Sequence, residues 1–213
     1  MIINFTTRNQ KPPLATPPCR DVTGPVRQDD AVTETLLHEP ALVRPDLVSP
    51  TVATALRRAE ARLSVADVLV AEIDPELADT AQFCERYGVP LGMSANCVVV
   101  AGRRGGETRF AACVVLATTR ADVNGLVRRH LDVRKISFAP MDVAVAETGM
   151  EYGGITPIGL PSGWPVLVDA AVAAAAQVVV GSGVRRSKLW VPGHLLVELA
   201  TAQVLPDLGR PAS

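Results

Sequence analysis

A mixed α/β (α+β) domain, with one mixed β-sheet surrounded by helices, is what the sequence predicts. Three observations carry that expectation: segments of helical period with recognisable caps, short β-rich apolar runs between them, and a glycine pair joining two such runs as a hairpin. At 213 residues, with 48% hydrophobic and 20% charged side chains, the chain can bury a sizeable core and is too apolar to be disordered throughout.

Residues 1–28 hold Pro12, Pro13, Pro17, Pro18 and Pro25 among polar side chains without periodicity. They read as a flexible leader, with 29–213 as the folded domain. Residues 29–48 are transitional, and Ser49-Pro50 marks a helix start, with serine as N-cap and proline at the first helical position. Val52, Leu56, Ala59 and Leu63 follow at helical spacing. Ala66–Ile73 is apolar nearly throughout, as a buried strand should be. Asp79 with Gln82 forms a capping-box variant ahead of Thr80, Phe83, Cys84 and Tyr87 on one helical face, and Gly88 with Pro90 ends that helix. Cys97–Ala101 and Arg109–Ala117 are strands joined through Gly105-Gly106. Val123, Leu126, Val127 and Leu131 predict a helix, Ile136–Phe138 a strand, and Pro140–Glu147 a helix stopped by Gly149. A Gly/Pro-rich loop from Tyr152 to Pro165 precedes strands at Pro165–Val168, Gln177–Val180 and Lys188–Val191, with a last helix at Pro192–Thr201.

Several function classes are disfavoured. No apolar stretch reaches the ~18 residues a membrane span needs, and Met1–Gln10 lacks the basic and apolar blocks of a secretory signal. A cytoplasmic location without a membrane partner is therefore expected. A net charge of −1 supplies no global field for nucleic acid, so such a partner has to be held locally. Cys19, Cys84, Cys97 and Cys113 show no C-x-x-C pair, and His38, His130 and His194 lie far from them, which argues against a metal site. Buried apolar packing accounts better for Cys84, Cys97 and Cys113. Gly181-Ser182-Gly183 lacks the third glycine of a dinucleotide loop, so no cofactor is expected. Gly92-Met93-Ser94-Ala95-Asn96 ends in asparagine where a nucleophile elbow needs glycine.

The densest feature is Tyr152-Gly153-Gly154-Ile155-Thr156-Pro157-Ile158-Gly159-Leu160-Pro161, with three glycines and two prolines in ten residues. Glycine lets main-chain N–H groups approach a ligand, and proline limits how far the loop relaxes. Aimed at a carbonyl oxygen, such donors stabilise developing negative charge. The alternative is a tight connection that only turns the chain.

The run from Glu147 to Gly159 resembles the signature of the YbaK/prolyl-tRNA-synthetase-associated editing domains, with Gly153 and Pro157 at the ends of the family's G-x-x-x-P loop. Ile73–Ala81, Phe138-Ala139-Pro140, Val166-Leu167-Val168-Asp169 and Val180-Gly181-Ser182-Gly183 are similar to further family segments in the same order, over roughly residues 50–205. The resemblance implies metal-free hydrolysis of the ester in a mischarged aminoacyl-tRNA, by a free-standing deacylase working on the acceptor end. An aminoacyl-tRNA synthetase is a further expected partner. It implies a catalytic group of Gly153, Gly154, Pro157, Asp169 and Asn96, with Ile155, Thr156, Gly159, Ser182 and Gly183 binding substrate. Asp169 either orients the substrate amine, braces the loop, or simply caps local N–H groups.

Two departures from the family stand out. Asn96 occupies the position where the family carries a lysine linked to catalysis, and Gly181 replaces a frequent Ser or Thr beside Ser182. Asparagine keeps a neutral donor and loses the cation, and a charge-assisted hydrogen bond contributes ~1.5–3 kcal/mol against ~1 for a neutral one. The second reading is therefore a non-catalytic module that binds an aminoacyl-tRNA or another ligand in the same pocket. For the tRNA body, Arg103-Arg104, Arg128-Arg129, Arg134-Lys135 and Arg185-Arg186 with Lys188 are the candidate phosphate contacts. Tyr152 and Trp164 flank the glycine loop; core packing is the simpler account of Trp164.

Overall fold

A computed structural model describes residues 35–59 and 65–211. The expected leader and Leu63 lie outside the described residues. Strand β1 (Glu39–Pro40) comes first, and helix α1 (Pro50–Ala59) starts where the sequence places it, with Ser49 Oγ accepting from Val52 N–H at 3.3 Å. The transitional segment is partly structural, because Leu47 and Val48 are buried. Strand β2 is shorter than the apolar run suggests (Leu69–Glu72), since Val65–Asp67 forms a 3-10 turn ahead of it. Helix α2 (Thr80–Tyr87) is capped by Asp79, whose carboxylate accepts from Ala81 N–H, and stops at left-handed Gly88. Phe83, Cys84 and Tyr87 are its buried face.

Strands β3 (Ala95–Arg104) and β4 (Glu107–Leu116) form the long hairpin, pairing from Ala95↔Leu116 to Arg104↔Glu107. Their two-residue turn has φ +60° at Gly105 and +90° at Gly106, a geometry that side chains with a Cβ resist. After β5 (Thr119–Ala121), the expected helix opens as a π-helical segment (Val123–Val127) and has only one α turn, α3 (Arg128–His130). The cause is Asp122, whose two carboxylate oxygens accept from Gly125 N–H and Leu126 N–H and widen the first turn. Strand β6 (Lys135–Phe138) and helix α4 (Met141–Thr148) follow as expected.

Strand β7 (Val166–Asp169) leads into α5 (Ala170–Ala173), a single turn absent from the sequence expectation. Next come β8 (Val178–Gly181), β9 (Ser187–Val191) and α6 (Gly193–Val197). The last helix is shorter than expected because the chain turns back at Ala202 to give β10 (Ala202–Leu205), and β11 (Gly209–Pro211) ends the described chain.

The fold is mixed α+β, with the strands divided between sheets rather than held in one. One sheet runs β1-β2-β9-β8, all antiparallel; the other runs β10-β7-β4-β3-β6, with β7 parallel to both β10 and β4; β11 and β5 make a ribbon. Apolar side chains of both sheets, among them Val70, Val180, Leu189, Val114 and Val168, close on Val52 and Leu56 of α1 in the main core. Val100, Cys113 and Leu167 pack beneath Val123, Val127 and Leu131, while α2 covers Ala71, Val179 and Trp190 with Phe83 and Tyr87. Just ahead of β3, Ser94 bridges in parallel to Val179 of β8. That strand therefore lies where the two sheets meet.

Candidate functional site

A cavity of about 630 Å³ opens at this meeting point. The entry to α2 (Ala78, Asp79, Thr80, Phe83), residues 94–99 with the start of β3, Val179–Gly181 of β8, and Tyr152, Gly153 and Ile155 of the glycine loop enclose it, with Phe138 and Met141 also lining. It gathers Asn96, Gly153 and Ile155 from the expected site.

The loop is held by hydrogen bonds of its own and by its neighbour. Gly154 N–H donates to Glu151 carbonyl at 2.9 Å, and Gly153 has φ +84°, as the third residue of a type II turn requires. Glu151 N–H donates to Gly183 carbonyl at 2.9 Å, and Gly183 N–H returns a bond of 2.7 Å to Gly154 carbonyl. Arg185 adds a clamp, its guanidinium donating to Tyr152 carbonyl at 3.3 Å and to Pro75 carbonyl at 2.9 Å. Gly154 and Gly181 make the approach possible: a Cβ at Gly181 would lie 2.3 Å from Gly154 carbonyl oxygen, and one at Gly154 would lie 2.6 Å from Val184 backbone. The Gly154 amide is thus spent inside the turn. Among the described residues, Gly153 N–H and Ile155 N–H have no backbone acceptor, and both residues line the cavity.

Asn96 lines the same cavity from β3. Its Oδ1 accepts from Thr80 Oγ1 at 2.8 Å, which orients the amide and leaves the Nδ2 donors without a partner among the described residues. Cys97 also lines the cavity, but burial holds its thiol far above the ordinary range, and Cys113 is pushed up to about 12, so neither supplies a thiolate. The one carboxylate among the described lining residues is Asp79, already capping α2, and no histidine lines the cavity.

The other expected residues do not reach this cavity. Pro157 and Gly159 border a second hollow of about 600 Å³ along α1. Thr156 is fully buried, its hydroxyl without a hydrogen-bond partner among the described residues. Ser182 is buried beneath the loop, its hydroxyl bonded to Val184 and Ser187 carbonyls and Ser187 Oγ, and Gly183 packs on Ser49. Asp169, 7% exposed, caps α5 through Ala171 N–H at 2.8 Å and takes Gly209 N–H at 2.6 Å. Asp169→Ala leaves two amides without their acceptor and is expected to lower unfolding free energy by about 2 kcal/mol in urea melts. Trp164 is 8% exposed and stacks on Phe110 at 4.8 Å, whereas Tyr152 is 59% exposed at the cavity.

Of the basic clusters, Arg128, Arg129, Arg134 and Lys135 are exposed, while Arg104 pairs with Asp132 and Arg186 bonds Asp46 carbonyl. Lys188 departs from the expectation of a surface phosphate contact. It is 7% exposed on β9 and lines the cavity, its Nζ donating to Ala78 carbonyl at 2.8 Å. Its place directly before Leu189-Trp190-Val191, in a strand buried throughout, was the available signal, hidden by the adjacent Arg185-Arg186.

A family model for the aminoacyl-tRNA editing domain matches residues 74–199, more than half of the chain. The chain belongs to the aminoacyl-tRNA editing domain family. The match spans the whole cavity wall from α2 to β9. Solved structures share the fold of this editing domain. One, from a study of computational epitope grafting onto scaffold proteins, is 22% identical with a TM-score of 0.63, covering 76% of this chain and 99% of that chain. A crystal structure of a candidate trans-editing enzyme for prolyl tRNA synthetase is 21% identical with a TM-score of 0.62, covering 76% and 99% likewise. No curated protein matches the sequence. Among the described residues no helix is long and apolar enough to cross a membrane.

Proposed function

We propose that this editing domain is an aminoacyl-tRNA deacylase acting in trans on the acceptor end of a mischarged tRNA. The observation that carries the reading is that Asn96, Gly153 and Ile155 line one cavity and that Asn96 Nδ2 and the Gly153 and Ile155 N–H groups have no partner among the described residues. Water adds through its oxygen to the acyl carbon, the bond from that carbon to the ribose oxygen breaks, and the ribose oxygen takes a proton. Free amino acid and tRNA leave. An activated ester needs mainly a fixed water and donors that meet the oxyanion, which a clamped loop can supply without a strong nucleophile. On this reading the exposed Arg128, Arg129, Arg134 and Lys135 supply phosphate contacts to the tRNA body.

The second reading, a module that binds the charged end without hydrolysis, is favoured by Asn96, a neutral group facing the cavity. A panel of mischarged tRNAs separates the two. The deacylase reading expects turnover above the protein-free rate on at least one, falling about fivefold in Asn96→Ala as one neutral hydrogen bond is lost. Binding of charged tRNA with no turnover across the panel selects the binding module.

A further inference from the structure

We propose that Lys188 supplies the buried positive charge of this cavity, its ammonium donating to the acyl oxygen of the bound aminoacyl end. Arg185, the other cation among the described lining residues, is committed to the Tyr152 and Pro75 carbonyls. The inference rests on the deacylase reading for its substrate and on separate observations for the residue.

Lysine is among the residues least often fully buried unless paired. Lys188 is 7% exposed, yet among the described residues no carboxylate forms an ion pair with it and Ala78 carbonyl is its one hydrogen-bond acceptor. An ammonium has three donors, so two remain to be filled. The Phe83 ring, 5.5 Å from Nζ, partly compensates on one side. The remaining side is the cavity, which Lys188 lines together with Ala78, Thr80 and Asn96. Its place is fixed by the sheet: β9 is flanked on both sides, and Lys188 stands opposite Ala71 of β2 and Gly181 of β8, two positions too small to cover it. A buried cation with unfilled donors and small neighbours costs stability in a purely structural role and suits one that meets a ligand oxygen.

Depth selects the oxygen. A phosphodiester carries full charge and a bulky water shell, and in the deacylase reading the exposed arginines are its contacts. The ester carbonyl is neutral and loses less hydration on entering, so it is the oxygen assigned to Nζ. Burial lowers the Lys188 pKa from 10.5 to about 8; Asp79 and Cys84 on the α2 side oppose the fall, and Arg185 of the β8–β9 turn adds to it. The ammonium is therefore the main form at neutral pH and is lost as pH rises through about 8.

Binding of 3′-aminoacylamino-3′-deoxyadenosines, amides that stand in for the ester and resist hydrolysis, tests this across a panel of amino acids by calorimetry. Lys188→Met is expected to raise Kd at least about tenfold, as loss of a charge-assisted hydrogen bond predicts. For the pH series the amides carry the matching 2-hydroxyacyl group, which lacks the α-amino group that itself titrates at about 8. Native binding is expected to weaken from pH 7 to 9, while Lys188→Arg, charged throughout, holds its affinity over that range. The pH series needs only native protein and so survives a Lys188→Met variant that fails to fold. Unchanged affinity in Lys188→Met, a flat native pH profile, or no native binding to any amide overturns the proposal. Deacylation is read in parallel: Lys188-dependent binding with no hydrolysis of any mischarged tRNA rejects the deacylase reading and leaves the Lys188 assignment standing.

Discussion

Gly154→Ala is expected to lower the deacylation rate by about a hundredfold while leaving the folded domain intact. The added Cβ would stand 2.6 Å from both Val184 carbonyl atoms and 2.8 Å from Val184 nitrogen, all of them backbone, so the loop has to move rather than a side chain turn aside. Gly154 φ is not positive, and the penalty is therefore one of contact and not of torsion. Its carbonyl also accepts from Gly183 N–H, so displacement breaks the link between the two loops and carries Gly153 and Ile155 with it. A misplacement of about 1 Å in a positioned site costs on the order of 100-fold in rate. Gly92→Ala is the matched control, because nothing lies within 4 Å of a Cβ at that position. Single-turnover deacylation of the best substrate measures both variants. Retention of activity by Gly154→Ala within threefold would remove the glycine loop from the reacting geometry.

Phe83→Ala is expected to produce the largest loss of stability, about 3–5 kcal/mol, as truncation of a fully buried aromatic does. Phe83 is 1% exposed and sits between Tyr87 at 5.4 Å and Trp190 at 6.1 Å, joining α2 to the four-stranded sheet. It also underlies the cavity and faces the Lys188 ammonium, so the hollow left behind merges with the site. Urea unfolding followed by circular dichroism measures the shift, with Phe83→Leu expected to recover more than half of it. A midpoint shift worth less than 1 kcal/mol would mean that α2 is not anchored through this ring.

The parts of the fold legible in the sequence were those fixed by local chemistry. Ser49-Pro50, Asp79, Gly88 and Gly149 act within one helical turn of themselves, and Gly105-Gly106 sets its hairpin alone. What escaped depends on partners remote in the chain. Strands β1, β10 and β11 are two to four residues long and exist because β2, β7 and β5 offer them an edge. Helix α5 is one turn of alanine-rich chain organised by the Asp169 cap, which left no period to detect. Asp122 widening the turn at Gly125 is likewise invisible in the helical spacing of Val123, Leu126, Val127 and Leu131.

In the candidate site, the glycine loop and Asn96 were legible through their resemblance to a known motif, and the cavity lies beside them. The detail was not. Within that loop, Gly153 and Ile155 face the cavity whereas Gly154 is consumed by its own turn, a distinction set by the pairing with Gly183. Ser182 and Asp169 have chemically suggestive side chains that are spent on neighbouring backbone. Lys188 reads as the end of a basic surface run until the register with Ala71 and Gly181 turns it inward.

The parallel pairing of β7 with β4 has a kinetic corollary. Ala112 meets Val166 across more than fifty intervening residues, and the glycine loop lies inside the stretch of chain that this contact closes. Closing so long a segment spends chain entropy before its contacts repay it, so the local β3–β4 hairpin can assemble well ahead of the loop. The donors that define the cavity acquire their spacing only after that closure, and any nascent form of the chain that stops at the hairpin is folded in part and without a site.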